Sequence, residues 1–302
     1  MKNNDYFTGK SPDKEGIPPA LIFGAGMFSA YLLWDNLRIS VTRYTVSDKK
    51  LPRSFDGFKI IQVSDLHSVC FGKHQSRLVN LIRKEAPDMI AITGDLVRDF
   101  DMSSASELIK RIVKTAPCFY VSGNHEYRTG KYFSVIKPGL RKLGVKILDD
   151  TCVHISRNNQ RISVIGLNDP CFEHPCSAAA VTDIKLTKLE NDDFTILLSH
   201  RPELARIYSN HNVSLALAGH AHGGQFQIPF IKRGVYAPQQ GFFPKYTNGL
   251  IRMNNTNIIV SRGLGTQTII PRFNNPPELV SVTLRSAPAS PNKGGSAPYA
   301  LT

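Results

Sequence analysis

The chain has 302 residues, 41% of them hydrophobic, with 37 Lys and Arg against 24 Asp and Glu, a formal charge of +13. That apolar content excludes a wholly disordered polyelectrolyte, and the length can bury a sizeable α/β core as one large domain or two smaller ones. The five scattered cysteines, Cys70, Cys118, Cys152, Cys171 and Cys176, imply no disulfide framework. The basic excess points to anionic partners: phosphate esters, nucleic acid or an acidic membrane surface.

Residues 1–16 are polar and punctuated by Pro and Gly, and are expected to be disordered. Residues 17–34 carry no charge and include Leu21, Ile22, Phe23, Met27, Phe28, Leu32 and Leu33, a run near the lower limit for crossing a bilayer. Tyr31 and Trp34 fall where an interfacial aromatic belt lies, so a membrane-anchor helix is expected, against a helix packed on the domain. Lys2, Lys10 and Lys14 precede this segment, whereas Arg38, Arg43, Lys49, Lys50 and Arg53 follow it. The excess after it favours a cytoplasmic catalytic domain at a plasma membrane. Residues 35–55 read as a linker, and 56–285 as the folded domain.

An apolar strand over 58–63 ends in Ser64-Asp65-Leu66-His67, and a helix is expected over 74–85. A second strand, 89–93, ends in Gly94-Asp95; after a helix near 104–115, a third, 118–121, ends in Ser122-Gly123-Asn124-His125-Glu126. A helix near 131–142 precedes strands at 162–165, ending in Gly166-Leu167-Asn168-Asp169, and 194–198, ending in Ser199-His200. The run 213–218 then delivers Gly219-His220-Ala221-His222-Gly223-Gly224-Gln225. Residues two apart on extended backbone point the same way, and flanking glycines bring the chain close to a ligand. The stretch 233–247, rich in Gly, Pro and aromatics, reads as an ordered loop; strands are expected at 257–260 and 279–284, and 286–302 as a disordered tail. Because each apolar run stops at a polar cluster, the clusters should gather at the carboxyl edge of a sheet, where open α/β folds place ligands.

Taken singly, Asp65 or Asp95 reads as a helix cap, Asn124 as a turn residue and His200 as a satisfied core histidine. Together, Asp65, His67, Asp95, Asn124, His125, His200, His220 and His222 offer two carboxylates, an amide oxygen and five imidazoles. That mixed set suits two divalent ions, Mn, Fe or Zn, sharing one carboxylate, and such a pair supports in-line attack on a phosphoryl group by a hydroxide bridging the ions.

Asp65-x-His67, Gly94-Asp95, Gly123-Asn124-His125-Glu126, the isolated His200 and Gly219-His220-x-His222 resemble, in order and spacing, the five motifs of the calcineurin-like metallophosphoesterases. The resemblance covers residues 56–285. Gly241-Phe242-Phe243-Pro244-Lys245-Tyr246 and Ser261-Arg262-Gly263-Leu264-Gly265 look like its membrane-associated bacterial phosphodiesterase branch, some members of which hydrolyse the pyrophosphate of UDP-diacylglucosamine. It implies an α/β four-layer sandwich of two mixed sheets flanked by helices. It also implies that Asp65, His67 and His222 hold one metal, that Asp95 bridges, and that Asn124, His200 and His220 hold the other. His125 would be the catalytic residue, stabilising phosphoryl charge or protonating the leaving oxygen.

One departure stands out: where relatives carry an acidic residue three positions after the bridging aspartate, this chain has Arg98, with Asp99 next. Arg98, Lys245 and Arg262 are candidates for substrate phosphate, as are Lys232, Arg233 and Arg272, although each also suits a solvated basic face. Tyr236, Phe242, Phe243 and Tyr246 form either a lipid-facing or base-stacking wall or the packing of a loop core. A nuclease or nucleic-acid binder is the alternative class, but no RNA-binding motif or basic-aromatic platform supports it. An inactive membrane scaffold would have lost ligands, and this set is complete.

Overall fold

The computed structural model describes residues 18–98, 101–172, 177–229, 233–266 and 271–287. The expected disordered termini (apart from Ser286 and Ala287), Asp99, Cys176 and Lys232 lie outside them. A 19-residue helix, α1 (Pro19–Leu37), leads into the domain. Sheet one is built from β1 (Ser40–Asp48), β2 (Lys59–Val63), β3 (Met89–Thr93), β4 (Cys118–Val121), β5 (Lys146–Ile147) and, far along the chain, β16 (Glu278–Ser286). Between them run α2 (Ser76–Glu85), α3 (Ser103–Ile112), α4 (Asn124–Arg128) and α5 (Lys137–Lys142).

Sheet two takes β6 (Thr151–Arg157), β7 (Gln160–Gly166), β8 (Thr195–Leu198), β9 (Leu215–Ala218), β14 (Gly249–Met253) and β15 (Thr256–Val260), with α6 (Ala178–Leu189) and α7 (Ala205–Asn210). Two short hairpins, β10 (Gln227–Ile228) with β11 (Arg233–Gly234) and β12 (Tyr236–Ala237) with β13 (Gly241–Phe242), fill the stretch between β9 and β14.

The strand orders are β1-β16-β2-β3-β4-β5 and β14-β15-β9-β8-β7-β6. β2, β3 and β4 run parallel in one sheet, as do β7, β8, β9 and β15 in the other. Three apolar layers result. One lies under α2 and α3, one between the sheets, where Ile60, Met89 and Phe119 meet Ile162, Ile196 and Leu215, and one under α7. This is the four-layer α/β sandwich.

The central strands are apolar on consecutive residues because both of their faces are covered, which is why they were readable as buried runs. Residues 35–55 are not a linker: they finish α1 and form β1, paired in parallel with β16 over nine residues. An edge strand buries little, so Ser40 to Asp48 alternates polar and apolar residues and lacks the continuous apolar signal of β2 or β3. The anchor expected to end at Trp34 continues to Leu37, where Arg38 turns to extended backbone.

Candidate metal centre

Parallel strands that share a register end at one rim. Asp65 and His67 follow β2, Asp95 follows β3, Asn124 and His125 open α4 behind β4, His200 follows β8, and His220 and His222 follow β9. The two sheets meet at this edge: Gln62 of β2, fully buried, donates to Ala218 O of β9 at 2.9 Å and to Thr93 Oγ1 at 3.0 Å.

Three groups of potential ligand atoms lie within 4.8 Å of one another: Asp65, His67 and His222; His67, Asp95 and His125; and Asp95, His200 and His220. His222 Nε2 is 3.5 Å from Asp65 Oδ1 and 3.4 Å from His67 Nε2. On the other side His200 Nε2 is 3.2 Å from Asp95 Oδ2 and 3.2 Å from His220 Nδ1. Asp95 thus stands between the two sets, with His67 Nε2 3.7 Å from the same Oδ2.

The residues fit divalent metal. Asp95 Oδ1 accepts the His125 backbone N–H at 2.9 Å, leaving Oδ2 buried without a satisfactory hydrogen bond, and Asn124 Oδ1 is buried and unpaired as well. Buried acceptors without donors are costly, and a cation is the partner that suits them. Burial pulls the imidazoles of His67 and His220 down to about 3, and that of His222 well below its usual range, with neighbouring cationic groups adding to the effect. Neutral rings present lone pairs. Burial also pulls His200 down, but the facing Asp95, with Asp65 and Asp169, outweighs it and pushes the ring up to about 10. His200 Nδ1 lies 2.8 Å from Thr93 O and donates to it, which turns Nε2 toward Asp95, where a proton takes the place a metal ion would fill.

The backbone is contorted to achieve this. Asp65 (φ 51°), His67 (47°), Asp95 (52°), His220 (65°) and His222 (47°) all adopt left-handed conformations. The chains also approach one another closely. A Cβ on Gly219 would lie 2.0 Å from Ser64 Oγ and 2.4 Å from Asp65 Oδ2, and one on Gly123 would lie 2.2 Å from Asp95 Oδ1.

The family model of the calcineurin-like phosphoesterases matches residues 58–224, which span the strands and loops that build this rim. A Bacillus subtilis protein, the uncharacterized metallophosphoesterase YkuE, is 32% identical over 88% of this chain and 92% of its own length. The chain belongs to the calcineurin-like phosphoesterases. It is therefore a metal-dependent phosphoester hydrolase. The Escherichia coli phosphodiesterase YaeI is 27% identical over 75% of this chain and 82% of its own. A Danio rerio transmembrane protein with metallophosphoesterase domain is 27% identical over 79% of this chain and 56% of its own.

Around the phosphoesterase centre stand residues that the sequence left unassigned. Glu126, fully buried, accepts from the backbone N–H groups of Asp95 (2.9 Å), Leu96 (2.7 Å) and Gly123 (2.8 Å), lacing two ligand loops together. Arg201 is buried and gripped by Asp169 at 2.6 and 2.8 Å, and its Nη1 lies 3.0 Å from His220 Nε2. Gln239 Oε1 meets the same Nε2; accepting a hydrogen bond from an N–H there leaves Nδ1, the atom facing His200, free to ligate.

Arg272, singled out for substrate, is instead fully buried. Its guanidinium holds Arg262 O at 2.7 Å and lies 3.2 Å from His222 Nδ1. Arg262 is paired with Glu278 at 3.2 Å, Lys245 is exposed beside the Tyr246 ring, and Arg98 is exposed at the end of its loop. Among the described residues none of Arg98, Lys245 and Arg262 hydrogen-bonds to a member of the cluster.

Proposed function

We propose that this hydrolase cleaves a phosphodiester or pyrophosphate bond in a membrane-associated lipid or nucleotide-lipid, with UDP-diacylglucosamine as the reference compound, using two divalent ions, Mn, Fe or Zn. Asp65, His67 and His222 hold one ion, Asn124, His200 and His220 the other, and Asp95 is shared. Bound there, the ions supply Lewis acidity to the phosphoryl oxygens and lower the pKa of water to near neutrality.

The remaining steps belong to the chain. Asp95 is held through Oδ1 by the His125 N–H, which turns Oδ2 toward His67 and His200, where it would be shared between the two ions. His200 is held in one tautomer by Thr93 O. His125, less buried than the other histidines of the cluster and with Nε2 lacking a protein partner, places a proton on the leaving oxygen. Its backbone N–H, spent on Asp95, keeps the ring beside His67, centroids 4.7 Å apart.

The observation that carries the reading is Asp95 Oδ2, buried between imidazoles of both sets, 3.7 Å from His67 Nε2 and 3.2 Å from His200 Nε2. Helix α1 supports the membrane setting: of its 19 residues only Asp35 is buried, whereas Leu21 (64%), Phe23 (73%) and Leu33 (65%) lie open. The excess of basic residues after it supports a domain on the cytoplasmic side of a bacterial plasma membrane. The relative named a transmembrane protein and the one named a phosphodiesterase agree with both halves of the proposal.

The test is hydrolysis by the Mn²⁺-loaded protein of UDP-diacylglucosamine, a soluble phosphodiester, a phosphomonoester and single-stranded DNA. Asp95→Asn should lose metal and turnover together. His125→Ala should keep metal, with kcat lower by about 10²–10⁴. Parent-like turnover by metal-loaded His125→Ala would remove that residue from the chemistry, and DNA cleavage alone would turn the assignment toward a nuclease.

A further inference from the structure

The aromatic stretch after β11 divides in two. Tyr246 is buried, while Tyr236 (48% exposed), Phe242 (74%) and Phe243 (58%) point outward from the β12–β13 hairpin. Tyr236 and Phe242 stack edge to face across that hairpin, centroids 5.4 Å apart, and its turn carries Gln239 onto His220. Loop packing therefore does not account for the three exposed rings. They form an apolar patch at the rim of the metal centre.

A run of backbone hydrogen bonds ties the patch to α1. Phe243 N–H donates to Val235 O (2.8 Å), Val235 N–H to Phe226 O (2.9 Å) and Gln227 N–H to Phe273 O (3.1 Å), and Phe226 bridges Phe273 directly. The Phe273 ring packs 6.0 Å from both Phe28 and Tyr31 of α1. Asn36 exchanges hydrogen bonds with the Arg272 backbone, both 2.9 Å, and Asp35 accepts the Asn275 N–H at 3.1 Å. Asn275 in turn donates to His222 O at 2.7 Å. The end of the apolar helix is thus fastened to the metal loops.

Depth follows from helix geometry. At 1.5 Å per residue α1 is about 28 Å long, close to the roughly 30 Å hydrocarbon thickness, so crossing a bilayer takes nearly all of it. Phe28 and Tyr31 lie about 14 and 9 Å before the Leu37 end on the same rise. A residue touching both cannot stand clear of the bilayer that α1 spans.

We propose that Phe273 and the Tyr236, Phe242 and Phe243 rings form an immersed collar seated in the interfacial layer of an anionic bilayer, so that the metal centre opens at the membrane surface. This rests on the membrane-anchor reading above. Amphipathic and aromatic rings suit that layer. Exposed Lys245, two residues after Phe243, matches its charge, while Arg38 spends its charge on Asp35 at 3.0 Å. Phosphoester groups carried on lipids would then reach the centre in the plane of the membrane.

Trp34 is the single tryptophan, so fluorescence separates the two ideas. The full chain is reconstituted into phosphatidylcholine/phosphatidylglycerol vesicles containing lipids brominated near the headgroup end of the acyl chain. Parent Trp34 reports the anchor, and Phe242→Trp in a Trp34→Phe background reports the collar, with Tyr236→Trp in the same background as a second reporter. The expected result is blue-shifted emission and at least twofold quenching at both sites. Quenched Trp34 with a solvent-like reporter at 242 and 236 overturns the collar and leaves the anchor standing. No quenching anywhere overturns both. Reporters shielded but unquenched, with shielding lost on diluting the protein, mean that a second copy covers the patch, and this also overturns the collar.

Discussion

Glu126→Gln isolates the lacing of the ligand loops from the ligands themselves. The carboxylate serves four backbone donors: Oε2 takes Asp95 N–H (2.9 Å) and Gly123 N–H (2.8 Å), while Oε1 takes Leu96 N–H (2.7 Å) and, more weakly, Val97 N–H (3.4 Å). An amide has one acceptor oxygen, and its NH₂ faces donors whichever way it is turned. At least one good pair is therefore replaced by a donor–donor clash, leaving two buried N–H groups unmet. At about 1–3 kcal/mol for each unsatisfied group the loss is roughly 2–6 kcal/mol, moderated by removing a buried charge. Urea unfolding of the metal-free protein should show a lower midpoint with an unchanged slope. Calorimetric Mn²⁺ titration should show weaker binding, because whichever pair is lost, Asp95 with Gly123 or Leu96 with Val97, the loop that carries Asp95 is displaced. A variant within about 0.5 kcal/mol of the parent, the range of an inert surface change, with parent-like metal affinity, would refute the reasoning.

Gly219→Ala should fold but fail to hold metal in equilibrium dialysis, because its methyl would enter the space of Ser64 Oγ and Asp65 Oδ2 at 2.0 and 2.4 Å; full metal occupancy would contradict this. Metal binding near pH 7 should release at least one proton. His200, pushed up to about 10, is protonated there and must give up its Nε2 proton to ligate, and Asp65, raised to about 6 by burial, adds a fraction. Titration calorimetry in buffers of different ionisation enthalpy measures that count, and a buffer-independent enthalpy contradicts it. Asp169→Asn should cost about 3–5 kcal/mol at pH 7 by stranding buried Arg201. Burial opposes ionisation of Asp169, but Arg201 outweighs it and holds the folded value below the usual one. That stability is present above pH ~4 and fades as the pH falls further, so the parent–variant gap in the metal-free protein should be smaller at pH 3 than at pH 7. An equal gap would rule out the ion pair as its source.

What the sequence disclosed and what it hid follow from burial. β2, β3, β4, β8 and β9 are covered on both faces, so each appeared as an apolar run whose end marked the site. β1, β6 and β14 have largely intermediate or exposed side chains, and their mixed composition gave no comparable signal. The candidate ligands were legible because imidazoles and carboxylates recur at strand ends with fixed spacing. Their supports were not, because Glu126, Asp169, Arg201, Gln239 and Arg272 act through contacts set by tertiary packing. Arg201 adjoins His200, and Glu126 adjoins His125, yet adjacency does not reveal that one grips Asp169 and the other closes around four amides. Proximity misled in the opposite direction for Arg262, which spends its charge on Glu278, and for Arg272, which faces inward to carbonyls and His222.

Asp65, His67, Asp95, His220 and His222 turn the chain sharply at the rim through left-handed backbone, a conformation that twelve other non-glycine residues of the described chain share. At about 1–3 kcal/mol per strained non-glycine residue, five of them cost roughly 5–15 kcal/mol, as much as the whole stability of a typical domain. Packing gains nothing from that geometry. The same strands could end in ordinary turns with Asn or Gly, which tolerate the conformation. The surrounding contacts that enforce it, Glu126 on the β3 and β4 loops, Asn275 on His222 O and Asp65 on the His220 N–H, each fix backbone and leave side-chain ligand atoms turned inward. The oxygen and nitrogen atoms on which these five residues converge suit a positively charged guest. Metal binding should accordingly carry much of the stability of these loops, and hydrogen exchange at residues 64–67, 94–97 and 219–222 should slow markedly on Mn²⁺ addition while the strands behind them remain unchanged.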